Sequence, residues 1–126
     1  MPDINDEARD DSPLTLRCET SAHAVVIHAV GEVDHPNAIW LSEELTRVGA
    51  TISPAQSLVL DLTGVSFMGS ATIAALIEHD RQCRQSGCDL RIVTGNTTVT
   101  RSLQRTGILD LLPVYRTLSE ALADNG

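Results

Sequence analysis

Residues 57–62 read Ser-Leu-Val-Leu-Asp-Leu, a short and almost continuous apolar run interrupted by one carboxylate, Asp61. The run is too short for a buried helix and too uniformly apolar for a strand with one wet face. It therefore predicts a strand covered on both sides, as in a parallel sheet with crossover helices. Segments with helical spacing flank it. Upstream, Asp34 offers a helix cap, Pro36 suits a first helical turn, and Ile39, Trp40, Leu41, Leu45 and Val48 supply an apolar stripe for a helix from His35 to Val48. Downstream, after a Thr63-Gly64 turn, a helix opens near Ser70 and runs to Ser86. Ile73, Leu76, Ile77 and Cys83 face inward on it, and Gly87 is its stop.

The rest of the chain continues this alternation. Leu14 to Cys18 alternates apolar and polar residues, and Ala24 to Val30 is a second strand-like run; the short polar link between them predicts a hairpin, with Gly31 breaking the second strand. Asp89 to Thr94 reads as a strand and Thr97 to Arg105 as a helix closed by Gly107. Val114-Tyr115 is a short last strand, and Thr117 to Ala123 a terminal helix with Thr117 and Glu120 spaced as a capping box. At 126 residues this is one domain. Strands alternating with helices imply right-handed parallel crossovers, so the expected architecture is an α/β sandwich. Its mixed sheet has about four to five strands, an N-terminal antiparallel hairpin and about four helices.

Charge and composition narrow the function. Seventeen acids against nine basic residues, all of them arginine, give a net charge of −8, which opposes the phosphate neutralisation that drives nucleic-acid binding. Three aromatic residues, Trp40, Phe67 and Tyr115, provide no stacking platform for bases. Met1 to Pro13 carries Asp3, Asp6, Glu7, Asp10 and Asp11 against Arg9 and reads as a solvated, unstructured tail ahead of a domain over 14–126. Its acidity does not match a signal peptide, and no stretch approaches the ~18 apolar residues of a membrane span, so a cytoplasmic protein is expected. Cys18, Cys83 and Cys88 lack zinc-ligand or redox-motif spacing and read as structural thiols. His23, His28, His35 and His79 are scattered and are expected to be solvent-facing or capping residues, with no metal and no cofactor implied.

No phosphate-binding glycine loop, dinucleotide fingerprint, zinc-protease motif or nucleophile elbow occurs. Two segments stand out. Gly31-Glu32-Val33-Asp34-His35-Pro36 places two acids and an imidazole at a strand-to-helix turn. Phe67-Met68-Gly69-Ser70-Ala71-Thr72 sets two hydroxyls at a helix N-terminus, where Ser70 would serve as an N-cap and where free N–H groups favour negative charge.

These two segments, together with LVLDLTGVSFMGSATIAAL and the tail RTGILDLLPVYRTLSEAL, resemble STAS domains of the bacterial anti-sigma factor antagonist type, over about Leu14 to Ala123. The resemblance implies a protein without catalytic activity that binds an anti-sigma factor, often a serine kinase, and so frees a sigma factor for transcription. It places the binding surface at the loop holding the GEVD acid and at the start of the second helix. In this sequence that means Asp34 and its neighbour His35, with Gly69, Ser70, Ala71 and Thr72. Asp34 equally suits a helix cap.

The family pattern is F-M-D-S-S-G, with the second serine as phosphate acceptor. Here alanine stands in that position, glycine replaces the acid and threonine replaces the glycine. A methyl group cannot take a phosphate, so the expectation is binding without the usual phosphorylation switch, with Ser70 and Thr72 the remaining hydroxyls that could accept one. Two other readings compete. In a flavodoxin-like phosphocarrier Asp61 would accept phosphate, but the chain has no lysine to complete such a site. The third reading, a ligand-sensing STAS module, has no supporting pocket residues in the sequence.

Overall fold

The computed structural model describes residues 3–8, 13–95, 97–105, 107 and 112–123, with the backbone alone at 3–8, 35, 36, 97, 98 and 102. Ten elements follow one another: β1 (Asp3–Ala8), β2 (Leu14–Thr20), β3 (Ala24–Val33), α1 (His35–Gly49), β4 (Ser57–Met68), α2 (Ser70–Ser86), β5 (Asp89–Val93), α3 (Thr97–Arg105), β6 (Val114–Tyr115) and α4 (Leu118–Ala123). The sheet is mixed, and its six strands lie in chain order. β1, β2 and β3 pair antiparallel, and β3 to β6 pair parallel.

The period of two along the strands sorts the side chains onto two faces. On one, Ile27, Ala29, Leu58, Leu60, Leu62 and Ile92 form a single core with Trp40, Leu41, Leu45 and Val48 of α1, Ile73 and Leu76 of α2, and Val99 and Leu103 of α3. Each fully buried aliphatic side chain there contributes roughly 1.5–3 kcal/mol. On the other face α4, only six residues long, meets Ala24, Val26, Val59 and Val93 through Ala121. Arg91 fastens it, donating to the Ala121 carbonyl and pairing with Asp89 at 2.7 Å. The remainder of that face, across β2 to β4, carries Arg17, His28 and Asp61.

Several expectations are corrected. The acidic tail contains a strand: Asp3 to Ala8 pairs with Thr20 to Thr15, using backbone groups that β2 would otherwise leave open; residues 1, 2 and 9–12 lie outside the described set. Gly31 does not end β3. It sits at φ +116 and continues the strand to Val33, because a Cβ there would lie 1.9 Å from the Pro13 carbonyl oxygen. Thr63-Gly64 is not a turn either. The pairing shifts from His28 with Asp61 to Val30 with Gly64, a bulge that lets β4 run on to Met68. Ile39 leaves the predicted stripe and is 58% exposed.

Two histidines expected at the surface are largely buried. His28 Nδ1 lies 2.8 Å from Asp61 Oδ2, and His79 Nε2 lies 2.7 Å from the Ser42 hydroxyl between α1 and α2. Among the described residues the cysteines form no disulfide, and they are partly buried against the core. Burial pushes the Cys88 thiol up to about 12, with the neighbouring Cys83 thiol adding to it, so Cys88 is a neutral thiol at physiological pH.

Replacing Gly31 with alanine should destabilise the fold by at least about 2 kcal/mol in urea denaturation, since strain and overlap with backbone act together. Burial also holds the His79 imidazole below its ordinary value of 6.5, with the Glu78 carboxylate acting the other way. A lowered imidazole is neutral in the fold while the unfolded chain takes up the proton first. Stability present above pH 6.5 is therefore lost as pH falls below it. Urea midpoints measured from about pH 7.5 to about pH 5.5 should fall, and fall less steeply in H79Q.

Candidate functional site

Parallel pairing sets Val33 beside Met68, so the two segments singled out in the sequence leave the sheet at the same edge, at the carboxyl ends of neighbouring strands. The Gly69 N–H donates to the Val33 carbonyl at 3.0 Å and fixes the start of α2 against the end of β3. The result is a rim shared by a strand end and a helix start.

Asp34 caps α1. The Asn37 N–H donates to its carboxylate at 3.3 Å, and the Asp34 N–H donates to the Asn37 side-chain oxygen at 2.8 Å, a reciprocal capping box. The Asn37 amide nitrogen also donates to the Glu32 carbonyl at 2.9 Å, and the residue is buried. Asn37 thus stiffens the turn that presents Asp34. The signal for it was present, an Asp-x-x-Asn spacing at a helix start, but the amide stands where glutamate or glutamine is usual. Asp34 is half-buried and Glu32 exposed. His35 opens α1, and its side chain lies outside the described set.

Across the rim, α2 begins one residue earlier than a Ser70 cap would require. Gly69 is the N-cap, with extended backbone at φ −80 and ψ 168 and no side-chain cap, and its carbonyl accepts from the Thr72 and Ile73 N–H groups. Ser70 and Ala71 are exposed in the first turn. Thr72 does not belong to the surface. It is 1% exposed and its hydroxyl is directed at the Val33 carbonyl, 3.5 Å away, so neither a partner nor a kinase reaches it in the folded protein. The structure adds two residues in its place. Phe67 at the end of β4 is 49% exposed, and Ile39 lies one turn into α1. Large apolar side chains open to solvent beside a polar rim suit protein recognition.

Other chemistry is poorly supplied. Both Asp61 oxygens are engaged, Oδ2 by His28 and Oδ1 by the Thr63 N–H and hydroxyl at 3.0 and 2.7 Å. Among the described residues no group of three or more His, Cys, Asp or Glu side chains could hold a metal ion. No helix of the described residues is long and apolar enough to cross a membrane.

A model of the STAS domain matches residues 15–121. The chain belongs to the STAS domain family. This STAS domain is 37% identical over 114 residues to a Mycobacterium tuberculosis protein assigned as an anti-anti-sigma factor, covering 89% of this chain and 77% of the relative. It is 36% identical over 100 residues to the anti-sigma-F factor antagonist RsfA of the same species, covering 79% and 78%. Among solved structures, a crystal structure of an anti-sigma factor antagonist from Mycobacterium paratuberculosis superposes with a TM-score of 0.79 at 26% identity, over 94% of this chain and all of the other. The antagonist SpoIIAA in its unphosphorylated form shares the fold, with a TM-score of 0.67 at 19% identity over 84% of this chain and 91% of its own.

Asp34→Ala should cost about 1 kcal/mol of stability, and Asp34→Ser only a few tenths, because serine retains a cap oxygen. Urea unfolding of the two variants beside the parent separates the cap from any role of the charge.

Proposed function

We propose that this STAS protein is an anti-sigma factor antagonist. It docks an anti-sigma factor against the rim of Asp34, Gly69, Ser70 and Ala71 and thereby frees a sigma factor, without catalysis of its own. The observation that supports this most is the rim itself. The two segments through which the family resemblance runs are tied side by side by the Gly69–Val33 hydrogen bond, with Phe67 exposed next to Gly69 and Ile39 exposed one turn into α1. Phe67 and Ile39 supply the apolar contact, while Glu32 and Asp34 favour a partner with basic groups at its margin. A cytoplasmic location follows from this role.

Control by phosphate at the family's usual position is excluded in this reading, because Ala71 has no oxygen to receive it. A phosphoserine there would place −1.5 to −2 charges in the docking patch. With a methyl group the patch keeps its charge, so binding persists in the presence of ATP, even toward a partner that is a serine kinase. Ser70 is the exposed hydroxyl of the segment, one residue short of the acceptor position.

Affinity for the cognate anti-sigma factor, measured by calorimetry, should be retained in A71S and weakened at least tenfold in A71E, in line with a few kcal/mol for an unmatched buried charge. On incubation with ATP and a kinase partner, intact mass should stay unchanged for the parent and rise by one phosphoryl group for A71S. Stoichiometric phosphorylation of Ser70 with loss of binding would overturn the reading, as would failure to bind any anti-sigma factor of the host.

A further inference from the structure

Cys83 lies in the last turn of α2 and Cys88 just ahead of β5, on either side of the left-handed Gly87. The Cys88 N–H donates to the Cys83 carbonyl at 2.8 Å and the Gly87 N–H to the Arg84 carbonyl at 3.4 Å, the paired bonds of a Schellman motif. This motif brings the residues at its two ends together. With standard bond lengths on either side of that 2.8 Å bond, the Cα atoms of Cys83 and Cys88 are at most about 6.7 Å apart, inside the span a disulfide bridges. The side chains follow the backbone. The Cys88 thiol meets the Cys83 thiol, and both residues are partly buried at the margin of the core.

The turn that joins the two cysteines borders open solvent. Gln85, Ser86 and Gly87 are exposed, and a Cβ added at Gly87 would meet nothing within 4 Å. Cys18 stands apart from the pair, since β2 and β5 are separated in the sheet by β3 and β4, which sets them roughly 14 Å apart. Within the pair the two sulfurs differ. Burial first, and then the neighbouring Cys83 thiol, keep the proton on Cys88. The thiolate is the nucleophilic form of cysteine, so the first attack on an oxidant falls to Cys83 and the second step to Cys88.

We propose that Cys83 and Cys88 form a reversible oxidation site, closed to an intramolecular disulfide by a hydroperoxide. The Cys83 thiolate attacks one peroxide oxygen and the O–O bond breaks. Cys83 becomes a sulfenic acid, and the departing hydroxide takes up the proton that Cys83 released. The Cys88 sulfur then attacks the Cys83 sulfur, the S–O bond breaks, and the second hydroxide leaves as water with the Cys88 proton. Two thiols give up two electrons, one peroxide accepts them, and two waters form. A small dithiol restores the pair by exchange. The neighbour protects the chain, because a sulfenic acid with no thiol in reach proceeds to sulfinic acid, which thiols do not reverse. Gly69 starts α2 and Gly87 ends it, so the reaction takes place at the end of the helix away from the proposed docking rim.

The test is to treat the full, folded chain with hydrogen peroxide, block the remaining thiols with iodoacetamide, and map tryptic peptides without reduction. Cleavage after Arg81, Arg84 and Arg91 separates the two cysteines, so a disulfide joins Gln82–Arg84 to Gln85–Arg91. The expected result is that linked pair, released by dithiothreitol, with Cys18 recovered in its alkylated form. At the same peroxide dose C88S should carry at least tenfold more sulfinic acid at Cys83 than the parent, since no thiol intercepts the sulfenic acid. The link itself is read in the parent, so the outcome does not depend on the variant folding. Absence of the link, a link that includes Cys18 or joins two chains, or equal sulfinic acid at Cys83 in the parent and a folded C88S overturns the proposal and leaves the two cysteines as the apolar contact of a helix cap.

Discussion

The parallel pairing of β3 with β4 is the constraint on which the rest of the molecule hangs. Its register, from Ala24 opposite Ser57 to Val33 opposite Met68, delivers two distant segments to one edge and brings His28 against Asp61 in mid-sheet. Parallel neighbours need a crossover, and α1 supplies it while covering the helix-bearing face with Trp40, Leu41, Leu45 and Val48. The rim is then closed by a single backbone hydrogen bond, from Gly69 to Val33. The proposed docking edge therefore rests directly on the sheet centre, through strand ends and a helix start.

Two glycines keep that pairing intact over its full length. At Gly31 the entry of β2 passes so close that only a hydrogen fits, and at Gly64 a Cβ would come within 2.9 Å of the Val30 side chain. Both residues stand where the two strands adjust their register. Two register shifts, between His28 and Val30 and between Gly31 and Glu32, lengthen β4 relative to β3, so that both strands reach the same edge. A straight pairing without them would place Ser70 and Asp34 out of step.

Much of this was legible in the sequence because it is local. The apolar run of β4, the Asp34 cap, the Gly87 stop and the Thr117–Glu120 cap each express a rule spanning a few residues, and each stands where it was expected. The misread features are those decided by residues far away. Glycine at 31 and 64 looks like a break until the neighbouring strand is known. The acids of β1 are poor strand formers by propensity, yet β2 offers them an open ladder. His28 and Asp61 are 33 residues apart and meet only through register. Within the candidate site, the turn at Asp34 and the start of α2 stood out by their own residues, and the family resemblance supplied the expectation that they bind a partner. The burial of Thr72 and the exposure of Phe67 and Ile39 depend on how α1 and α2 seat against the strand ends, which no local pattern encodes.

β1 brings a further consequence. A sheet edge is a template onto which a foreign strand can add, and here one end of the sheet is occupied by a segment bearing Asp3, Asp6 and Glu7, while the other ends in a strand of two residues. A second copy approaching the β1 side meets like charge, and one approaching the β6 side finds almost no ladder to extend. Both borders thus discourage stacking into fibrils, and the amino-terminal acids act as a guard on colloidal behaviour.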